Sequence, residues 1–220
     1  MLMVSQNLSL DCIPPAPYRR TVIDSAAAGL LTGWSLIVAI GAQNAYVLRQ
    51  GLARKYVGVV VAICAVSDLV LILAGVAGIG TIVERAPAAL DVVRWLGVAF
   101  LLWYGVSSLL RARRTEGLEA ARAGAGSTRA AAVTAVALTW LNPHVYLDTV
   151  LLLGSIANQH EDGRWWFGAG AALASLLWFT ALGYGARLAH GLLASARAWR
   201  VLDVLIGLTM IVIAATLALR

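Results

Sequence analysis

Six long apolar stretches, broken only by isolated charges, constrain this chain more than any other feature. A helix rises 1.5 Å per residue, so about 20 apolar residues cross a hydrocarbon core of about 30 Å. The stretches run from about Ser25 to Leu48, Tyr56 to Val83, Val92 to Leu110, Ala130 to Ala157, Trp165 to Ala186 and Trp199 to Leu219. Of the 220 residues, 60% are hydrophobic and 13% charged, against roughly 25% charged in a soluble domain. Helices apolar all round belong in lipid. The expected fold is an all-α integral membrane protein with about six transmembrane helices, multi-pass in the inner (plasma) membrane.

The polar residues punctuate this pattern. Residues 1–23, with Pro14, Pro15 and Pro17, lack the apolar core of a signal peptide and are expected to be a disordered tail. Residues 24–220 are expected to form one membrane domain, whose only sizeable loop, 111–129, divides it into halves of about 24–110 and 130–220. Asp91 is a candidate helix N-cap after Pro87. Ser67 and Gly75 recur as Ser175 and Gly183 at an offset of 108, and Gly97 pairs with Gly207 at nearly the same offset. Three spans per unit would make the second copy enter the membrane upside down, giving two three-helix inverted repeats with a site near the midplane.

Basic residues vote on orientation. One face collects Arg49, Arg54, Lys55, Arg111, Arg113, Arg114, Arg122, Arg129, Arg187, Arg197 and Arg200; the other collects Arg19, Arg20, Arg85, Arg94, Arg164 and Arg220. The first face is expected to be cytoplasmic, with both termini outside. The net charge of +6 comes from scattered arginines without an aromatic-interleaved patch, which argues against nucleic acid and for contact with anionic lipid headgroups. Cys12 and Cys64 make no CxxC pair, which removes a membrane thiol-redox enzyme from consideration. No ligand cluster points to a metal, and no cofactor is expected.

Charges deep in a bilayer are costly and functional by default. Asp68 and Asp148 lie furthest from any span end, one in each half. Asp203 stands about a turn into the last span and reads as a boundary residue. Gly41-Ala42-Gln43-Asn44 and Leu141-Asn142-Pro143-His144 place amides inside apolar stretches, where they can meet the charged groups of a zwitterion. Pro143 removes a backbone hydrogen bond and breaks the fourth span, and a half-helix N-terminus can hold an anion. His144 is a candidate proton relay. Trp103, Trp140, Trp165, Trp166, Trp178 and Trp199 read as interfacial belt or packing.

Four runs then match a known pattern: Gly41 to Gly51 (GAQNAYVLRQG), Val66 to Val70 (VSDLV), Arg94 to Gly97 with Leu102-Trp103-Tyr104, and Leu138 to Asp148 (LTWLNPHVYLD). Their order resembles the LysE/ArgO type of basic amino-acid exporter over about residues 25–219. The family usually has Gly-Pro-Gln-Asn in the first span, and Ala42 stands here in place of that proline; a break in the first span would have to form through Gly41. The resemblance implies efflux of L-lysine or L-arginine driven by the proton-motive force. Gln43, Asn44, Asp68, Asn142, Pro143, His144, Tyr146 and Asp148 are then the candidate substrate and coupling residues. One carboxylate would bind the substrate's cation and the other would alternate with a proton. A related exporter of a neutral amino acid or of a cation is the alternative, and Gly-rich spans could pack within one chain or build a homo-oligomer.

Overall fold

A computed structural model describes residues 18–38, 41–79, 85, 87–113, 126–189 and 196–219, and among them regular structure is entirely helical. Eight helices follow in order: α1 (Tyr18–Ile37), α2 (Ala42–Ala53), α3 (Val57–Val76), α4 (Pro87–Arg113), α5 (Thr128–Trp140), α6 (Pro143–Asn158), α7 (Arg164–Leu188) and α8 (Ala196–Ala218). Four of them, α3, α4, α7 and α8, are each long and apolar enough to cross a membrane. The other four make two bent pairs, α1 with α2 at 82° and α5 with α6 at 58°, so that six spans result when each pair counts as one.

Two boundaries differ from the sequence reading. Helix α1 begins at Tyr18, inside the stretch expected to be a disordered tail; residues 1–17 lie outside the described residues. Helix α4 begins on Pro87, a residue whose missing N–H costs nothing at a first helical position. Asp91 is therefore no cap: it stands within α4 and pairs with Arg94 one turn on, at 3.0 Å.

Small residues bring the helices together. A side chain at Gly29 or Gly170 would collide with the backbone of Phe167 or Ala26, so α1 and α7 touch main chain to main chain. Gly75 and Gly154 do the same for α3 and α6, while a side chain at Gly105 or Gly207 would run first into Ile211 or Leu109 side chains between α4 and α8. In lipid, where apolar side chains gain little by leaving the solvent, such close backbone packing is a main source of helix association. Outward-facing Leu31, Val66, Trp103, Val133 and Val212 are all more than half exposed and present an apolar face around the bundle. The largest core cluster joins Tyr46, Val47, Cys64, Leu138, Phe179 and Met210 from α2, α3, α5, α7 and α8. It extends along α8 from Ile206 to Leu217. The side of the bundle where α2 and α4 end and α8 begins is termed here the arginine-rich face.

Candidate functional site

The two breaks meet. Helix α1 stops at Ile37 and α2 starts after Gly41, whose extended backbone (φ −113°, ψ 176°) re-aims the chain without a proline. A helix that ends in apolar surroundings leaves carbonyls without partners. Asn44, one turn into α2, answers this: its Nδ2 donates back to the Ile37 carbonyl at 2.8 Å, and its Oδ1 accepts from the Trp178 indole of α7 at 3.2 Å. The second break is built alike. Helix α5 ends at Trp140, Asn142 caps α6 by accepting from the His144 N–H at 3.1 Å, and the Tyr146 hydroxyl donates back to the Trp140 carbonyl at 2.8 Å. Gly97 of α4 lies so close to the Leu141 carbonyl that no side chain fits between them.

After the second break the chain does not return at once to α-geometry. Tyr146–Leu152 forms a π-helical turn with Asp148 inside it, a local widening that recurs at functional sites. Asp68 sits instead on the uninterrupted α3, nearly inaccessible, accepting from the Ser175 hydroxyl at 2.8 Å. Gln43 lines the same cavity as Asp68, and its buried Nε2 has no hydrogen-bond partner. Beside Asp68, Ser67 accepts from the Trp140 indole at 3.0 Å, tying α3 to the last turn of α5.

Polar groups of both breaks line, with Asp68, one cavity of about 300 Å³, at the small end of the range for small-molecule sites. Of the eight residues the sequence nominated, Gln43, Asn44, Asp68, Asn142, His144 and Asp148 line it. Pro143 and Tyr146 do not: both support the second break from outside the cavity. Thr149, Ser175 and Thr216 add hydroxyls, and Phe179, Ile72 and Ile213 add apolar wall. Ser175 had entered the sequence reading only as a repeat marker, because a lone serine in an apolar stretch carries no sign of its partner. Among the described residues no group of His, Cys, Asp and Glu could hold a metal.

A second polar centre lies outside the cavity, and here the sequence reading needs correction. Asp203 is no boundary residue: its carboxylate is 3% exposed and meets the Arg49 Nε at 3.1 Å and the Arg111 Nε at 3.7 Å. Arg49, counted among the loop arginines, is equally buried within α2. Arg111 also donates to Ser108 at 2.6 Å and stacks over Tyr104, 5.6 Å from its ring centre.

Two broken spans that bring polar groups and two acids to one cavity are an arrangement suited to a multi-pass membrane transporter. Comparison with known proteins narrows the class. The family model described as LysE type translocator matches residues 34–220. The chain is 40% identical to a lysine exporter LysE of Corynebacterium diphtheriae, over 89% of this chain and 99% of the relative. It is 44% identical to an arginine exporter protein ArgO of an Enterobacter species, over 86% of this chain and 91% of the relative. No solved structure matches. The chain belongs to the LysE-type translocator family and is a multi-pass protein of the cytoplasmic membrane.

Proposed function

We propose that this protein exports L-lysine, L-arginine or both, exchanging the amino acid for an inward-moving proton. The observation that carries the reading is the meeting of Asp68, Asp148 and the amides of both breaks around one cavity of about 300 Å³. Relatives at 40% and 44% identity named as lysine and arginine exporters support the substrate class. A neutral amino acid would not need a second carboxylate, so the paired acids favour a cation.

The chemistry follows from the charges. Moving a cation outward against an inside-negative potential costs about 2.3 kcal/mol per 100 mV. Exchange for one proton cancels that electrical cost. A carboxylate can hold a proton or a cation but gains little from holding both, which makes it a coupling device. In this reading one of Asp68 and Asp148 binds the side-chain cation and the other alternates with the proton. The first turn of α2 points its N–H groups toward the first break, where the α-carboxylate docks. The carbonyl end of α1 favours the α-amino group. Asn44 and Asn142 hold both breaks in register. The arginine-rich face is cytoplasmic; removing buried Arg49 from its eleven basic residues leaves ten against six, so the vote stands.

Efflux of radiolabelled lysine and arginine from preloaded cells, with and without the protein and with an uncoupler, tests this. Protein-dependent efflux of either that collapses with the uncoupler is expected. Efflux that persists undiminished would remove the proton from the mechanism, and export of neither would overturn the substrate assignment.

A further inference from the structure

We propose that Arg49, Arg111 and Asp203 form a gate that closes the transport path at the arginine-rich face. The inference rests on the reading that solute passes between the two faces through the cavity, and it goes beyond it by assigning residues outside the cavity.

Position comes first. The cavity is lined by residues near the breaks and beyond them toward the opposite face: Leu153 of α6, Ala171 near the start of α7, Thr216 near the end of α8. The ion cluster lies at the other end of the same helices. Arg49 is near the end of α2, Arg111 near the end of α4, and Asp203 about 10 Å from the start of α8 at 1.5 Å per residue. Tyr46 and Val47, between Asn44 and Arg49 along α2, and Cys64, a turn before Asp68 along α3, belong to the packed core. Arg49 and Arg111 come from the first half and Asp203 from the second, so the cluster crosses the seam between them. Tyr46 reinforces the crossing: its hydroxyl donates to the Ala131 carbonyl of α5 at 3.4 Å, and its ring meets Tyr104 edge-on.

Energetics makes the closure reversible. A buried ion pair gives little net stability because its desolvation offsets its attraction. Here two guanidiniums share one carboxylate, which leaves one positive charge in excess. The adjacent Trp199, 2% exposed, has an indole N–H without a hydrogen-bond partner, so the closed arrangement does not satisfy all its polar atoms. Closed, the excess charge repels cations that would leak through the path, as fixed arginines do in selective pores. Open, it frees Asp203 to face the aqueous side.

Cys64 reports on the gate. It is fully buried, a turn toward the arginine-rich face from Asp68, and a Cys12→Ser background leaves it as the one thiol. The test is its labelling by a membrane-impermeant methanethiosulfonate, applied separately to each face of reconstituted vesicles. Slow labelling is expected in that background. Arg49→Gln/Asp203→Asn, which removes one charge of each sign, should label about tenfold faster from the arginine-rich face only, and Asp203→Glu should stay slow. Unchanged labelling of the folded double variant, or equal acceleration from both faces, would overturn the gate. If the double variant does not fold, Arg111→Gln decides: a severalfold rise from the one face supports the gate and the background rate overturns it. This readout needs no substrate, so a wrong substrate assignment and a wrong gate give different results.

Discussion

The two broken spans reach the same end by different routes. The second carries Pro143 at the first position of α6, a capping Asn142 and a π-helical turn; the first has Ala42 at the corresponding position of α2, no side-chain cap and regular α-geometry beyond it. Yet in both a side chain from the second segment reaches back to a carbonyl at the end of the first: Asn44 to Ile37, Tyr146 to Trp140. The difference teaches that a proline is not what opens a membrane helix here. Proline at a first helical position merely lacks an N–H that would have no intrahelical partner anyway. A break persists in lipid because its freed carbonyl has somewhere to go.

The comparison can be broken or sharpened by substitution, and the largest effect belongs to the acids that face the breaks. Asp68→Asn and Asp148→Asn are each expected to reduce lysine and arginine efflux to the background of cells without the protein. Retention by one of them would show that only one half couples. Next come the straps. Asn44→Leu and Tyr146→Phe each orphan a carbonyl, a loss of about 1–3 kcal/mol, and efflux should fall roughly tenfold in both. Asn44→Leu should be the more damaging, because it also strands the Trp178 N–H; the reverse order in a transport assay would mean that the phenol acts on substrate. The smallest effects should come from the prolines. Pro143→Ala is expected to keep efflux within about threefold, and Ala42→Pro within about twofold, since Gly41 already has the extended backbone that a residue before proline adopts. Abolition of efflux by Pro143→Ala would restore the proline as the cause of the break.

How far the sequence reached follows from the kind of feature. Span number, helix type and the two cavity acids were legible because an aspartate in an apolar stretch of 20 residues stands out without reference to any partner. The second break was legible through Pro143. The first was legible only as a question, since Gly41 and Asn44 act through a contact seven residues apart that no proline announces. The Arg49–Asp203 pair escaped altogether. Its members are 154 residues apart, and each sits near enough to a span end to pass for a solvated charge. Ser175 escaped for the same reason: a hydroxyl in a span takes its meaning from the carboxylate opposite. The sequence thus displays a charge in lipid but not the residue that receives it.

The central claim is that both halves build a single site for a cationic amino acid. Equilibrium binding of radiolabelled lysine and arginine to the purified protein tests it most directly, with wild type compared against Asp68→Asn and Asn44→Leu from the first half and Asp148→Asn from the second. Saturable binding at one site, weakened at least tenfold by changes from either half, is the expected result. Full-strength binding that survives every change in one half would contradict it.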